Sequence, residues 1–171
     1  MEAGDDRPLT AEGLCARYAH RVYRFAAMVA VGDVEAEDLA QDAMVRAIRN
    51  LGRFDASRGT VETWLWRIVV NTATDAGRVS SRRRRLWERF RSQPTLGENV
   101  EDLALVRITA VELLTAVRRL RRRERGMIAL RFGAGLGFAE VGAAYGISRA
   151  AATMAVRRAL DTLRINLKET R

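Results

Sequence analysis

The chain has 171 residues, of which 30 are Lys or Arg and 21 are Asp or Glu, so its formal net charge is +9. This length fits one ordinary domain or two small ones, and the positive charge favours a polyanionic partner. One cysteine and one histidine exclude an intramolecular disulfide and leave no credible zinc site. No apolar run is long enough to span a bilayer, and the acidic start MEAGDD lacks the features of a signal peptide. We therefore expect a cytoplasmic protein without membrane insertion.

Hydrophobic periodicity is helical almost everywhere, which predicts an all-α fold. The first helix is expected from about Thr10 to Ala30, with an inner face of Leu14, Tyr18, Val22, Phe25, Ala26 and Val29. Asp33 can cap a second helix that runs to about Asn50. The first half of this second helix is acidic and the second half basic, which complements the helix macrodipole; the residues are Glu35, Glu37, Asp38, Asp42, Arg46 and Arg49.

The segment WLWRIVVNTATDAGR, residues 64–78, predicts a third helix that Thr60 can cap. Apolar spacing predicts that its buried face consists of Val61, Trp64, Leu65, Ile68, Val69 and Thr72. Five other residues are then expected away from that face: Trp66, Arg67, Asn71, Asp75 and Arg78. A ring, a guanidinium and a carboxamide placed there could engage unpaired bases. Plain packing is the alternative, with Trp66 as a partly buried surface ring.

From Val79 the helical pattern gives way to a segment with four successive arginines, Arg82, Arg83, Arg84 and Arg85. It predicts a flexible basic linker, which can act as a solvated tether and can also follow phosphates. The expected division is therefore a first domain over 1–79, a linker over 80–100 and a second domain over 101–171.

The second half begins with a helix expected from about Glu101, with an inner face of Leu103, Val106, Ala110, Leu113, Leu114 and Val117. A further helix through Met127 and Leu130 is expected to end at Gly133 and Gly135. The segment FAEVGAAYGISRAAATMAVRRAL then has the form of a helix-turn-helix. Gly142 is small where the helices touch, Gly146 lies at the turn, and Ser148 can cap the second helix. A plain helical hairpin is the alternative.

No phosphate-cradling glycine loop and no nucleophile motif is present, so we expect no catalytic or cofactor site. The acidic group Glu35, Glu37, Asp38 and Asp42 could in principle hold Mg²⁺ for nuclease chemistry. Its position in the first half of a helix has an ordinary electrostatic explanation, and we expect no metal site.

The block EDLAQDAMVRAIRN, the loop with Phe54, the block TWLWRIVVNTATDAGR, a linker and a C-terminal helix-turn-helix follow one another in this order. This arrangement resembles the extracytoplasmic-function group of bacterial sigma factors in the sigma-70 superfamily, from about Leu14 to Leu163. The resemblance implies two helical domains, a sigma-2-like bundle and a sigma-4-like helix-turn-helix domain. It implies a promoter-specificity subunit of RNA polymerase with no catalysis of its own.

The resemblance also assigns roles to residues. The second helix would dock on the clamp coiled coil of the largest polymerase subunit through Asp38, Gln41, Asp42 and Arg46. The −10 promoter element would meet Phe54, Trp66, Arg67, Asn71, Asp75 and Arg78, with Asn71 in a pocket for a flipped base, where its amide offers a donor and an acceptor. The linker arginines would contact nucleic acid, and an anti-sigma factor that covers both domains is a further implied partner.

The second domain would bind the flap of the second-largest subunit and the −35 element. Its recognition helix departs from the family pattern, because Ala151, Ala152 and Ala155 stand where donors are common. The remaining polar candidates are Arg131, Arg149, Thr153, Arg157 and Arg158, which predicts −35 recognition that is weak, shape-based or shifted towards phosphates. The alternative function is a free-standing helix-turn-helix regulator that binds duplex DNA without polymerase.

Overall fold

The computed structural model of the protein describes residues 9–30, 33–88 and 106–169. In these ranges the chain forms seven α-helices and no strand, so the all-α prediction is confirmed. The helices are α1 (Ala11–Val29), α2 (Asp33–Arg49), α3 (Val61–Glu88), α4 (Val106–Arg119), α5 (Arg122–Ile128), α6 (Phe138–Tyr145) and α7 (Arg149–Glu169). Short 3₁₀ turns at Leu51–Arg53 and Ala56–Arg58 join α2 to α3, and a π-helical turn at Ala129–Gly133 follows α5. None of these helices has the length and apolar character needed to cross a membrane.

The first three helices form one packed bundle in which α2 contacts both α1 and α3. Thr10 caps α1 by accepting a hydrogen bond from the Gly13 amide at 3.0 Å, and Thr60 caps α3 by accepting one from the Thr63 amide at 3.2 Å. Each cap satisfies an amide that has no partner within its own helix. The inner face predicted for α1 is confirmed except at Val29, which is only partly buried. The two capping threonines therefore define where α1 and α3 begin, and the apolar pattern defines the buried face of α1.

The buried face of α3 differs from the prediction. Trp66 has no exposed surface, whereas Trp64 is only partly buried. The expectation that Trp66 lies away from the core is therefore wrong. Trp66 takes the buried position that was predicted for Trp64. The physical reason is that α3 packs beneath α2 and beside α1 and α6 at once, so its buried face is wider than one apolar stripe; it comprises Leu65, Trp66, Val69, Val70 and Thr72.

The C-terminal end of α3 also differs from the prediction. The backbone stays helical through Glu88, ten residues beyond the predicted end at Arg78, so the predicted linker begins as helix. Arginine is a good helix former, and a run of arginines extends a helix that is already anchored. Residues 89–105, which include the rest of the predicted linker and the predicted start of the next helix, lie outside the described residues.

The second half contains the predicted helix-turn-helix. Gly146 ends α6 in the left-handed conformation at φ 66°, and Ser148 accepts a hydrogen bond from the Ala151 amide at 3.1 Å at the start of α7. The inner residues Val141, Ala152 and Val156 are buried. The predicted inner face of α4 is only partly right, because Val117 is buried but Leu113 and Leu114 are 44% and 43% exposed. Near the end of α4 the buried residues are Ala116, Val117 and, directly after the helix, Leu120, and α4 packs against α7.

The two halves pack against each other rather than standing apart. Helix α3 contacts α6, and α1 contacts α5 and the π-helical turn. The Arg21 guanidinium on α1 donates from Nε to the Ala134 carbonyl at 2.8 Å, and buried apolar residues of both halves form one continuous cluster. This shared interface fixes the position of the first half of the chain relative to the second half.

Candidate nucleic-acid interface

One exposed strip runs along α3 on the side away from its core contacts. Arg67, Asn71, Asp75 and Arg78 are all exposed, and their spacing of four, four and three residues places them on one helix face. Two of them, Asp75 and Arg78, are connected by an ion pair of 3.8 Å. We call these four residues the α3 strip. It offers two cations, one carboxamide and one carboxylate to a ligand that lies along the helix.

An aromatic pair lies at the N-terminal end of the α3 strip. Trp64 is two helical turns before Asn71, which puts it on the same face, and its ring packs against Phe54 with 5.5 Å between centroids. Both rings are partly buried. Phe54 belongs to the loop before α3, where Asp55 accepts hydrogen bonds from the Ser57 hydroxyl and amide that lower the pKa of its carboxyl group. The partly exposed ring beside the strip is therefore Trp64, and the buried Trp66 cannot stack on a base in this conformation.

Trp66 instead lies in the core beneath the α3 strip. One of its contacts is Arg21, a residue that the sequence did not single out. The Trp66 ring packs edge-on against Phe25 at 6.0 Å, and the Arg21 guanidinium lies 5.7 Å from its centroid. Arg21 also forms a 2.6 Å ion pair with Glu62, whose carboxylate accepts from the Trp66 indole N–H at 3.4 Å. A helical-wheel comparison of α1 and α3 could have paired Arg21 with Glu62 by charge alone. This cluster fixes the rotation of α3 and so the direction of its exposed strip.

The predicted polymerase-contact residues share an exposed side of α2. Asp38, Gln41 and Asp42 are exposed, and Arg46 is partly buried. Arg46 forms ion pairs with Asp42 at 3.1 Å and, across to the next helix, with Asp75 at 3.3 Å. The structure therefore brings the α2 residues and the α3 strip together through one arginine.

A cleft of about 1120 Å³ separates these residues from the second half of the chain. Its first wall carries carboxylates from α2 and α3, and its second wall carries guanidinium groups of α5 and the Tyr145 ring of α6; the charged lining residues are Glu35, Asp38, Asp42, Arg46, Asp75, Arg122, Arg123 and Arg125. Burial, together with repulsion from Arg122 and Arg118, lowers the pKa of Arg125. Attraction between opposite charges across the cleft favours the packed arrangement of the two halves.

Arg122 bridges the two halves directly. Its guanidinium donates to the Gly77 carbonyl at 2.6 Å and to the Thr74 carbonyl at 3.4 Å. Both acceptors belong to α3 and flank Asp75. Because Gly77 has no side chain, the guanidinium can lie flat against the helix, and a Cβ added there would overlap it.

The recognition helix α7 exposes Arg149, Arg157 and Arg158, while Thr153 is partly buried. The Thr153 hydroxyl donates to the Arg149 carbonyl at 2.9 Å, so part of its hydrogen-bonding capacity is used within the helix. Arg131 stands apart from this group: it donates to the Leu136 carbonyl at 3.1 Å and lies 5.1 Å from the centroid of the Phe138 ring. The structure thus exposes the three α7 arginines at different angles around the helix, and it engages Arg131 in the turn that follows α5.

Arg82, Arg83, Arg84 and Arg85 lie on the helical backbone of α3, and their side chains are outside the described part.

Among the described residues, no group of three or more His, Cys, Asp or Glu side chains is placed so that it could hold a metal ion. The acidic residues of α2 spread along the helix and do not converge on one point.

Comparison with known families matches both halves of the chain. The family model for Sigma-70 region 2 matches residues 14–85, and the model for Sigma-70 region 4 matches residues 116–164. The first match covers most of α1, all of α2 and the α3 strip, and the second covers the helix-turn-helix up to residue 164. The order of the two matches is the order of the two halves in the structure.

Individual relatives agree with these matches. The chain is 32% identical over 133 residues to the ECF RNA polymerase sigma factor BldN of Streptomyces coelicolor, which is 72% of this chain and 47% of that protein. It is 31% identical over 132 residues to the ECF RNA polymerase sigma factor SigE of Mycolicibacterium smegmatis, which is 76% of this chain and 51% of that protein. The chain thus spans about half the length of these relatives.

Solved structures share the fold. The sigma factor RpoE from Bartonella quintana, in complex with the anti-sigma factor NepR, superposes with a TM-score of 0.71 at 20% identity over 94% of this chain and 98% of that one. CnrH, in complex with the cytosolic domain of CnrY, gives a TM-score of 0.67 at 23% identity over 93% of this chain and 88% of that one. Because each superposition covers more than nine-tenths of this chain, the similarity extends over both halves.

Proposed function

Because the chain belongs to the sigma-70 family, we propose that it is a promoter-specificity subunit of bacterial RNA polymerase that directs initiation and opens the −10 element. The observation that carries this proposal is the α3 strip, where the Asn71 amide lies between Arg67 and Asp75, with Arg78 beyond, and is preceded by the Trp64–Phe54 pair. Arg67 and Arg78 are placed to neutralise phosphates, and the amide of Asn71 can pair with the edge of an unstacked base. Strand opening then draws on base capture, which offsets an unstacking cost of a few kcal/mol.

The α2 face supports the second part of the role. Asp38, Gln41, Asp42 and Arg46 give a mixed polar surface, and we propose that it binds the clamp coiled coil of the largest polymerase subunit. On the C-terminal half, Arg149, Arg157 and Arg158 are proposed to contact −35 phosphates, and this half would also bind the flap of the second-largest subunit. Arg82–Arg85 are proposed as nucleic-acid contacts between the two domains, which we place at 1–79 and 101–171.

Other features of the role follow from this proposal. The polymerase supplies the catalysis, so this chain needs no catalytic group of its own. We place it in the cytoplasm, where promoter DNA and the polymerase are found. Since the structural relative RpoE was solved with an anti-sigma factor, we propose a partner of that kind for this chain too.

The test is transcription with purified core polymerase on a promoter library, comparing the parent chain with Asn71→Ala and Gln41→Ala. We expect Asn71→Ala to bind core polymerase normally but to lose about 10-fold or more in opening, which potassium permanganate reactivity of unpaired thymines measures. Gln41→Ala serves as the opposite case and should weaken core binding, with opening restored at high protein concentration. If the parent chain neither binds core polymerase nor directs initiation, it would instead be a free-standing helix-turn-helix regulator.

A further inference from the structure

The exposed side of α7 begins with an apolar stretch. Ala150 and Ala151 are exposed, and Met154, one turn later, is 53% exposed. Because successive helix residues are rotated by roughly 100°, these three positions lie on the side opposite the buried Ala152 and Val156. A helix-turn-helix places the start of its second helix in the major groove. The part of α7 that would enter the groove therefore presents apolar side chains, with the largest of them at its centre.

The hydroxyl groups at the start of α7 are partly engaged by the helix itself. The Ser148 hydroxyl accepts a hydrogen bond from the Ala151 amide at 3.1 Å, and the Thr153 hydroxyl donates to the Arg149 carbonyl at 2.9 Å. Direct readout of base edges relies mainly on the side chains of Arg, Lys, Asn and Gln. Between Ser148 and Arg157 the sequence has one residue of these types, Arg149. Hydrogen bonding to bases is thus a small part of what this surface offers.

Cations lie on both sides of the apolar stretch. Arg149 precedes it, Arg157 and Arg158 follow it, and all three are exposed. Arginines in such positions bind phosphates and fix a helix on the duplex, but these contacts carry no sequence information. One turn further, Asp161 pairs with Arg164 at 3.0 Å, and its carboxylate would repel phosphates. The DNA-facing part of α7 therefore covers about its first three turns.

The thymine methyl group is the base feature that an apolar side chain recognises in the major groove. Thymine presents a C5 methyl group there, whereas guanine, cytosine and adenine present hydrogen-bonding groups. An apolar side chain that covers such a group removes its water without replacing the hydrogen bond, which costs free energy. An apolar stretch thus favours thymine by contact with the methyl group and disfavours the other bases by desolvation.

We propose that α7 discriminates upstream promoter sequences by their thymine methyl groups, with Met154 as the principal contact and Ala150 and Ala151 beside it. The proposal rests on the proposed role of this half at the −35 element and specifies which base chemistry that role uses. The flexible, polarizable Met side chain adapts to methyl groups of neighbouring base pairs. Affinity then comes from the flanking arginines and discrimination from the apolar stretch, and the preferred ligand is a duplex with adjacent A·T pairs.

The test measures binding to duplexes in which deoxyuridine, which lacks only the C5 methyl group, replaces thymine. The holoenzyme formed from the full chain and core polymerase first selects upstream elements from promoter duplexes randomised in that region. Thymines of the selected elements are then replaced one at a time, with the rest of the promoter unchanged. We expect the selected elements to contain adjacent A·T pairs. Each contacted thymine should lose about 3- to 5-fold in affinity on replacement, the factor that corresponds to one buried carbon unit.

Variants of α7 assign this discrimination to a residue. Met154→Ala should bring the thymine-to-uracil affinity ratio close to 1 at one position or more, with little change for the uracil duplex, whereas the volume-conserving Met154→Leu should keep the ratio. Ile165→Ala is the matched control and should also keep it, because Ile165 is 57% exposed on the same helix but about three turns further along. Circular dichroism checks that each variant is folded.

Arg157→Ala separates phosphate contact from methyl contact. It should weaken binding to the thymine and uracil duplexes equally and reduce the salt slope by about 1. The thymine-to-uracil ratio should stay at the parent value. A ratio that falls in Arg157→Ala but not in Met154→Ala would contradict the proposed division between the two residues.

Methyl recognition is overturned if the selected elements show no preference for thymine, or if the parent ratio is close to 1 or survives in Met154→Ala. If the chain directs initiation but deoxyuridine in the upstream element has no effect, the promoter function stands without methyl recognition. If the chain does not bind core polymerase, the selection and the replacements are carried out with the full chain alone. A ratio that then depends on Met154 retains methyl recognition and rejects the promoter function, and absence of duplex binding rejects both.

Discussion

Arg46 on α2 and Asp75 on α3 form an ion pair with 3.3 Å between Nη1 and Oδ2. The pair connects the proposed polymerase-binding face to the proposed DNA-reading strip. Arg46 also holds Asp42 at 3.1 Å, and Asp75 also holds Arg78 at 3.8 Å. Four charged residues thus form one chain of ion pairs across two helices, so a partner that draws Arg46 away changes the charge balance beside Arg78.

The first prediction is that this pair contributes to function far more than to stability. Both side chains are about half exposed, and exposed ion pairs contribute about 0–1 kcal/mol because water and salt screen them. A double-mutant cycle with Arg46→Ala and Asp75→Ala in urea unfolding should give a coupling of less than about 1 kcal/mol. The same double-mutant cycle, measured by core-polymerase affinity and by promoter opening, should show strong coupling between the two substitutions. Purely additive effects on opening would contradict a link between the two faces.

The second prediction separates the two tryptophans. Trp66→Ala removes a fully buried ring and should destabilise the chain by about 3–5 kcal/mol, read from urea unfolding. Trp64→Ala removes a partly buried ring beside the α3 strip and should cost clearly less stability. It should weaken binding of single-stranded −10 oligonucleotides by about 10-fold, because a stacked base contributes about 1–3 kcal/mol, and fluorescence anisotropy measures this loss. The reverse ranking of the two variants in stability would show that Trp66 is the exposed ring.

Structural features that depend on local contacts could be predicted from the sequence, whereas features that depend on contacts between distant residues could not. Local signals were sufficient where a cap or a turn acts alone, as at Thr10, Thr60 and Gly146. The rotation of α3 could not be predicted from the sequence, because the apolar residues also allow a second stripe that contains Trp66 in place of Trp64. Packing against Phe25 and Arg21 selects Trp66 for the core. The contact of Arg122 with Gly77 joins residues 45 positions apart, and no local pattern encodes a pairing of that separation.

The third prediction concerns the salt dependence of DNA binding through Arg82–Arg85. Each phosphate that a cation neutralises adds about 0.9 to the slope of log affinity against log salt concentration on duplex DNA. Replacing all four arginines with alanine should therefore flatten the slope by about 1 or more for the promoter complex, measured by filter binding across a salt series. Alanine keeps the helix-forming tendency of this part of α3, so the change isolates charge. An unchanged slope would show that these arginines do not contact phosphates.

The fourth prediction compares two glycines of the helix-turn-helix. A Cβ at Gly142 would come 2.7 Å from the Ile147 carbonyl oxygen, which is backbone and cannot rotate away. Gly146 has open space around it but a φ of 66°, so alanine there costs about 1–2 kcal/mol of left-handed strain. Gly142→Ala should therefore lower the thermal unfolding midpoint more than Gly146→Ala. Equal midpoints would mean that the α6–α7 crossing relaxes easily.

The fifth prediction is a loss of stability at alkaline pH that originates at Tyr145. Burial raises the pKa of its phenol from an ordinary value of 10.0 to about 12, and the nearby Arg123 opposes this shift only in part. The folded chain thus holds this proton more tightly than the unfolded chain, so the contribution to stability is complete below about pH 10 and disappears as the pH rises through about 12. Its size is at most about 2–3 kcal/mol. Phenolate absorbance should show one tyrosine that titrates late, and Tyr145→Phe should remove that component and weaken the decline in stability between pH 10 and 12. A late-titrating tyrosine that persists in Tyr145→Phe would assign the shift to another residue.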